Sequence, residues 1–345
     1  MRFDTANRSF LGIVAVGFVG YMLLGMGACV LVSVAAYRFA AEGLGAVADH
    51  GWELVAALVF LVPVGGGALA GLWALALEAP ASLRLHQRMR AVALPLPHRL
   101  RAAAESAGVG GRVRLVDADD SFSLAYGAFS PRVAVSRGLV ERASSNELTA
   151  ILEHERYHVR NLDPLKVIVV RAIGPAFFYL PALRDLDDRY VAGRELAADR
   201  HALEAHGRAT LAGALLKVVR GPSWAELRTA AAIGGPELLD VRIEQLETGT
   251  EPALARVSQT GWLLSTLGLL GLAGGFVVAI SAYGGPSAVA RTLMPGASFS
   301  AVDVLLCLAC AAPVAIAAWL GWRWLSRRAA LPLTRRRGST TLASY

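Results

Sequence analysis

The sequence contains few cysteines and little that would pair them. Only three occur, Cys29, Cys307 and Cys310, and all three lie within apolar runs. Cys307 and Cys310 have C-x-x-C spacing, but no second cysteine pair or neighbouring histidine completes a zinc site around them. We interpret all three as small residues that pack within membrane helices, and the sequence implies no disulfide.

Charged residues are also scarce. They make up 18% of the 345 residues, whereas hydrophobic residues make up 55% and the mean hydropathy is +0.47. A soluble domain of this length rarely has such a composition, which is typical of a membrane protein. Lysine is nearly absent, and arginine supplies almost all of the basic charge. The arginines cluster beside apolar runs, which favours contact with an anionic bilayer leaflet over direct nucleic-acid binding.

Four apolar runs are long enough to cross a bilayer, which needs about 20 apolar residues. They cover residues 10–37, 54–77, 262–283 and 302–322. The first is too long for a signal-peptide core, and no small-residue cleavage site follows it. G-x-x-x-G patterns in the second and third runs, at Gly67 and Gly271, allow close helix approach and predict a packed bundle.

The runs divide the chain into four regions. Two transmembrane helices with a short outside loop come first, a polar segment follows, and two further transmembrane helices precede a basic tail. These regions are residues 1–79, 80–258, 259–324 and 325–345.

The distribution of arginine predicts the orientation. The loop between the first two runs, residues 38–53, carries one arginine and three acids, whereas arginines follow the second and fourth runs. Positive residues stay in the cytoplasm. We therefore expect a multi-pass protein of the plasma membrane whose two termini and polar middle segment are cytoplasmic.

The middle segment begins with alternating and then helical patterns. Residues 112–117, 124–129 and 132–136 predict the strands of a small sheet. Ser144 and Glu147 then form a capping-box pattern, which predicts a helix from there to about residue 160.

This helix carries the pattern H-E-x-x-H. His154 and His158 lie one turn apart and project from the same face, so that both imidazoles can bind one Zn²⁺. Glu155 is too close in sequence to be a comfortable third ligand, but it is well placed to take a proton from the attacking water. The alternative interpretation is a surface helix whose polar residues occur in this order by chance.

A second predicted helix, residues 189–199, supplies further carboxylates. Glu195 and Asp199 lie four residues apart on one face. Glu195 is a candidate third ligand that leaves a position for water, and Asp199 is a candidate to orient a ligand histidine through its second ring nitrogen. The alternative is a solvated charged face in which these carboxylates pair with Arg194 or Arg200.

The apolar stretch between these helices, residues 167–183, could be mistaken for another span. A single crossing would put His158 and Glu195 on opposite sides of the membrane, where they could not share a metal. The stretch is also too short to span and contains Arg171, Pro175 and Pro181.

We therefore expect residues 164–183 to form an interfacial or re-entrant helix. Asp163 is its predicted N-cap and Pro164 lies in its first turn. Such a helix would bring the catalytic helix close to the bilayer.

In order and spacing, these residues resemble the BlaR/MecR-type membrane metallopeptidases, the zinc proteases of beta-lactam sensor-transducers and their sensorless relatives. The resemblance covers about residues 80–250, and the layout of four spans fits as well. It rests on residues 125–140, Asn146-Glu147-Leu148, H-E-x-x-H at His154, Asp163-Pro164-Leu165, and Glu195-x-x-x-Asp199.

The resemblance implies an α-helical polytopic membrane protein with a cytoplasmic gluzincin-like α+β zinc protease domain. It implies one Zn²⁺ per chain on His154, His158 and Glu195, with Glu155 as general base and Asp199 behind a ligand. A peptide substrate would add as a strand to an exposed sheet edge. The candidate edges are Leu124, Ala125, Tyr126 and Gly127 with the residues up to 129, or residues 132–136.

The oxyanion of the reaction also needs a stabilising group. The sequence offers several candidates close to the predicted ligands and does not choose among them. They are Tyr157, Tyr190, Arg194 and His201. Arg156 and Tyr157 are bulkier than the groups common at these two motif positions.

By resemblance, the substrate is a cytoplasmic transcriptional repressor or the enzyme's own chain, and an oligomer is compatible with the sequence. One alternative is membrane-protein quality control, as in the HtpX/Ste24-type proteases, although residues 124–127 lack the asparagine common in that group. Another is a catalytically silent membrane scaffold, against which the intact Glu155 argues. The family's sensors carry an extracellular penicillin-binding domain after the last span. We expect none here and therefore no direct beta-lactam sensing.

Overall fold

The computed structural model describes residues 5–49, 51–218 and 236–282. The chain divides into two compact units, one of Met1–Val19 with Gly51–Ala279 and the other of Gly20–His50 with Ile280–Tyr345. All of the candidate site residues belong to the first unit. In chain order the described elements are α1 (Thr5–Asp49), α2 (Gly51–Ala91), β1 (Ala93–Leu94), α3 (His98–Ser106), β2 (Val113–Val116), β3 (Ser123–Tyr126), β4 (Arg132–Ser136), α4 (Arg137–Arg142), α5 (Ser145–Asn161), α6 (Asp163–Ala176), α7 (Ala182–His206), α8 (Arg208–Val218), α9 (Pro236–Thr248) and α10 (Gln259–Ala282).

Three of these helices are long and apolar enough to cross a membrane. The candidate spans are Thr5–Tyr37, Ala57–Ala91 and Gln259–Ser281. The prediction of a mostly helical protein with several candidate spans is therefore confirmed, and three of the four predicted spans correspond to these helices. The predicted fourth span, residues 302–322, and the basic tail lie outside the described residues.

A small sheet supports α5, the helix that carries H-E-x-x-H. Its strand order is β1-β2-β4-β3, with β2 parallel to β4 and the other pairs antiparallel. The prediction that residues 132–136 offer a free edge is wrong, because β4 pairs with β2 on one side and with β3 on the other. Within this sheet β3 is an edge strand.

The two faces of the sheet pack against different helices. Ala125 and Val133 point into a core that includes Leu148 and Leu152 of α5. Tyr126 and its neighbours on the other face pack with the part of α2 that follows its apolar run, through Leu85 and Met89. This division follows from the strict alternation of side chains along a strand.

Helix α5 begins where the capping pattern predicted. Ser144 Oγ accepts a hydrogen bond from the backbone N–H of Glu147, and the Glu147 carboxylate accepts one from the backbone N–H of Ser144. The helix ends at Asn161 and is followed by Leu162, whose φ of 57° puts the backbone in the left-handed region. This residue joins α5 directly to α6.

The predicted helix over residues 164–183 is shorter in the structure. It comprises the 14 residues Asp163–Ala176, and the chain turns before α7 begins at Ala182. The prediction that Asp163 is the N-cap is wrong. Leu162 occupies that position and makes no side-chain cap. The Asp163 carboxylate is bonded to His158 instead of capping the helix.

Glycines let α6 lie directly against α2. A Cβ on Gly67 would collide with the carbonyl oxygen of Ala176, and one on Gly71 would come within 2.8 Å of the Ala176 Cβ. Farther along, Arg171 Nη1 lies 3.4 Å from Glu78 Oε1. The partner of the predicted G-x-x-x-G face is therefore α6, which runs antiparallel to α2 along the candidate span.

We predict that Gly67→Ala destabilises the protein whereas Gly66→Ala does not. Overpacking of this kind costs about 1–3 kcal/mol, and a Cβ on Gly66 would meet nothing within 4 Å. The thermal unfolding midpoints of the two detergent-solubilised variants measure the difference. Equal midpoints would show that α6 does not pack on this face of α2.

Candidate metal site

Three side chains from two helices converge on one point. His154 Nε2 and His158 Nε2 are 3.1 Å apart, and the Glu195 oxygens lie 3.6 Å from the first and 3.8 Å from the second. All three ligand atoms lie within 4.8 Å of one another. Ligands bound at 2.0–2.1 Å to a tetrahedral Zn²⁺ lie roughly 3.3 Å apart, so the donor set and its spacing fit a zinc ion.

A carboxylate lies beside the outer nitrogen of each histidine. His154 Nδ1 lies 2.9 Å from Asp199 Oδ1, and His158 Nδ1 lies 2.7 Å from Asp163 Oδ2. Such contacts turn the ring so that Nε2 is directed at the metal position. The sequence pattern predicted Asp199 as the residue that orients a ligand histidine. It indicated a helix cap for Asp163, so the corresponding partner of His158 was not predicted.

The site carboxylates are buried. Glu195 is 2% exposed and Asp199 is 1% exposed. This excludes the alternative of a solvated charged face, and Arg200 pairs with Glu251 instead, at 2.7 Å. Glu155 is also buried, at 6% exposure, and its Oε2 has no hydrogen-bond partner.

Arg242 on α9 completes the charge balance, and sequence reasoning missed it. Its Nε and Nη2 donate hydrogen bonds of 2.6 and 2.8 Å to the two oxygens of Asp199. Its Nη1 lies 3.6 Å from Glu195 Oε2. Arg194 approaches from the other side, with its Nε 3.4 Å from Glu195 Oε1. No motif marks Arg242, since only the fold brings α9 against α7.

These contacts reverse the effect of burial on the acidic groups. Burial alone would raise the pKa of Glu195, but His158, His154, Arg194 and Arg242 together hold it well below its usual range. The pKa of Asp199 is likewise lowered, since Arg242 and His154 outweigh burial. Both carboxylates are therefore ionised, as metal binding requires.

The pKa of His154 moves in the other direction. Burial would lower it, but the contacts with Asp199 and Glu195 outweigh burial and raise it to about 10. Only the neutral imidazole binds a metal ion, so protons compete with the metal for Nε2 of His154.

The four oxyanion candidates differ in their positions. Arg194 touches Glu195, as described above. Tyr157 is buried against Ala197 and Ala198, with its ring centroid 5.8 Å from that of His158. Tyr190 is fully buried against Phe10, and His201 is exposed beside the Tyr157 ring. The oxyanion role of all four stays a prediction.

The edge strand β3 packs beside α5. The backbone N–H of Ser136 donates a hydrogen bond to the Phe122 carbonyl oxygen. Because hydrogen-bonded pairs alternate along an antiparallel ladder, the backbone N–H and C=O groups of Leu124 and Tyr126 also face β4. The backbone groups of Ser123 and Ala125 therefore point to the side of β3 on which no described strand pairs, but both residues are buried, at 1% and 0% exposure. Gly127 follows with a φ of 90°, and a Cβ there would come within 2.9 Å of Ser130 O.

Comparisons with known proteins identify related peptidases. The family model described as BlaR1 peptidase M56 matches residues 48–246. Protease HtpX of Acinetobacter baumannii (strain AYE) is 36% identical over 78 residues, which cover 22% of this chain and 26% of that protein. Protease HtpX of Acinetobacter baylyi (strain ATCC 33305 / BD413 / ADP1) is 35% identical over 78 residues with the same coverage.

The match to the curated relatives thus spans about a quarter of their length. The family model, by contrast, covers more than half of the chain, including α5, α7 and the residues that converge there. It confirms the resemblance on which the sequence analysis rested. The chain therefore belongs to the BlaR1 peptidase M56 family.

Proposed function

We propose that this protein is a zinc-dependent endopeptidase that is integral to the plasma membrane and cleaves peptide bonds at its cytoplasmic face. One observation carries the proposal. His154, His158 and Glu195 present three ligand atoms within 4.8 Å of one another, and the buried Glu155 lies next to the first ligand. Family membership and three candidate spans support the same conclusion.

His154, His158 and Glu195 would hold a zinc ion, which would supply a Lewis acid for the scissile carbonyl and for the attacking water. Glu155 acts as general base on that water and then returns the proton to the leaving amine. Its burial and its unbonded Oε2 suit a group that must accept and release a proton in a site shielded from bulk water.

Asp199 and Asp163 position the two histidines and keep each Nε2 directed at the metal. Arg242 in turn holds both oxygens of Asp199. A bidentate pair of this kind fixes the plane of the carboxylate as well as its charge. The ligand geometry therefore depends on α5, α6, α7 and α9 together.

The substrate is proposed to pair with β3 through Ser123 and Ala125, whose backbone groups face away from β4. Both residues are buried, so this edge must be uncovered before a peptide can pair with it. Adding a strand there extends the sheet beside α5. This is the geometry that would bring a peptide carbonyl toward the metal position.

We propose regulatory proteolysis as the role, with a cytoplasmic repressor or the chain itself as substrate, because the matching family model is that of the BlaR1 peptidase. Membrane-protein quality control is a second candidate, and the similarity to Protease HtpX favours it. Comparing proteomes of cells with the wild type or a Glu155→Gln variant separates them. One cleaved regulator supports the first role, and many damaged membrane proteins support the second.

We predict that Glu155→Gln lowers kcat for peptide cleavage by at least about 10²-fold, the range expected for loss of a general base. Zinc content should stay near one ion per chain, because the three ligands are unchanged. Peptide cleavage and metal analysis of the purified protein provide the two measurements. Cleavage equal to that of the wild type would contradict the proposed role of Glu155.

We predict that Asp163→Asn weakens zinc binding by about 10–100-fold, as is usual when a partner of a ligand histidine loses its charge. Competition with a chelator measures the affinity. Asp120→Asn, at an exposed position, is the matched control and should bind as tightly as the wild type. Unchanged affinity in Asp163→Asn would show that the contact with His158 does not position the ligand.

We predict that a cysteine introduced at Asn146 is labelled by a membrane-impermeant maleimide only after cells are lysed. Asn146 is exposed at the start of α5. The segment 38–53, expected to be an outside loop, is largely helical, since α1 ends at Asp49 and α2 begins at Gly51. A cysteine at Ala46, in the last turn of α1 and on the side expected to be outside, should be labelled in intact cells. The reverse pattern would overturn the proposed orientation.

A further inference from the structure

Basic side chains gather on the face of the sheet that lies away from α5. Tyr126 and Arg132 are direct partners across β3 and β4, and Arg114 lies on the next strand, β2. Alternation puts all three on the face that packs with α2. That helix adds His86, whose ring centroid is 5.7 Å from that of Tyr126, and Arg90. These five residues are here named the basic cluster.

Nothing acidic offsets this charge in the part of the chain that the structure describes. Burial raises the pKa of the Tyr126 phenol, and the positive charges of Arg132, Arg114 and Arg90 act against that rise. The same three arginines are the charges that act on His86. Among the described residues no carboxylate lies within ion-pair distance of these arginines, so no side chain of opposite charge neutralises them.

Two donors in the cluster are also left without acceptors. The Tyr126 hydroxyl belongs to a side chain of 0% exposure and has no hydrogen-bond partner, and neither does the buried Nε of Arg114. Arg132 makes one long hydrogen bond, of 3.4 Å to Gly111 O. Buried donors without acceptors are costly, so an acceptor that joins them would stabilise this face.

We propose that the basic cluster is a binding site for a phosphate group, carried either by a membrane lipid headgroup or by a soluble phosphate compound. A phosphate has several anionic oxygens, which match the forked donors of arginine and the hydroxyl of Tyr126. The site goes beyond the proposed peptidase function, because none of its five residues touches the metal ligands or Glu155.

A carboxylate of the peptide substrate is a poorer match. The substrate is proposed to lie along the free edge of β3, and β2 is two strands away from that edge. Strands are spaced about 4.8 Å apart, so a peptide added beyond β3 would lie three strands, or roughly 14 Å, from the backbone of Arg114. A single carboxylate would also leave most of the positive charge unbalanced.

The position on α2 gives the lipid source a physical basis. The candidate span Ala57–Ala91 includes Arg90, and the same helix carries Arg84 and Arg88. Arginines that follow an apolar run on its cytoplasmic side attract anionic headgroups. A soluble phosphate compound would reach the same donors from the aqueous side, so experiment must separate the two sources.

The test uses the full-length protein and its thermal unfolding midpoint. One arm adds inorganic phosphate at constant ionic strength, with chloride as reference. The other compares bilayer nanodiscs of phosphatidylcholine with nanodiscs that also contain phosphatidic acid. A rise in the midpoint with phosphate supports the soluble source, and a rise with phosphatidic acid alone supports the headgroup.

Substitutions then localise the effect. Arg114→Met and Tyr126→Phe should each weaken binding of the stabilising phosphate by about tenfold or more, as expected when a charged or buried hydrogen bond is lost. Tyr126→Phe keeps the packed ring, so it reports binding even if Arg114→Met fails to fold. Arg101→Met, on α3 at the opposite face of the sheet, is the control and should leave the midpoint shift unchanged.

Three results would overturn the proposal. One is the absence of stabilisation in both arms. Another is a midpoint shift that is as large in Tyr126→Phe and Arg114→Met as in the control Arg101→Met. The third is stabilisation by an acidic peptide where phosphate and phosphatidic acid have no effect, which would assign the cluster to a protein partner. Peptidase activity can persist in all three cases, so the outcome is independent of the proposed function.

Discussion

The structure of the site depends on one constraint, which is that several buried charges must balance one another. Glu195 and Asp199 are almost fully buried, and an unpaired buried carboxylate would be strongly destabilising. Arg242, Arg194 and the two histidines supply the compensation. Because these partners come from α5, α7 and α9, satisfying the charges also fixes how the three helices pack. The ligand geometry and the packing of the domain are therefore one problem with one solution.

The same network reaches the first membrane helix. Lys166 is buried on α6, where its Nζ lies 3.8 Å from Asp163 Oδ1 and donates a 2.7 Å hydrogen bond to Asn7 Oδ1 on α1. Asp163 is in turn bonded to His158. A side chain near the start of the first candidate span is thus three contacts from the candidate metal ligand His158. Nearby, a Cβ on Gly193 would come within 3.0 Å of the Ala6 backbone nitrogen, so this end of α1 fits tightly against α7.

Local patterns made part of this predictable. The spacing of His154 and His158, and the capping box that starts α5, depend on residues within one or two helical turns. Glu195 and Asp199 shared one helix face, and a family resemblance gave them roles. Arg242 had no such signal, because its position depends on how α9 docks. The sequence signal at Asp163 was misleading, because an aspartate before a proline is typical of an N-cap. The left-handed conformation of Leu162, which moves the cap position by one residue, has no sequence pattern that predicts it.

The turn of the chain after α6 shows how a functional requirement can decide between structures. Hydropathy alone left residues 167–183 open to interpretation as a span, whereas a shared metal site required both flanking helices on one side. In the structure α6 packs antiparallel along α2 through Gly67 and Gly71, and the chain turns before α7. Contact with the apolar part of a candidate span favours a re-entrant helix over one that lies flat on the surface. Burial of α6 against α2 also stabilises a helix of 14 residues, which would be marginal alone. The small residues of α2 thus contribute to holding Asp163 and α7 where the metal site needs them.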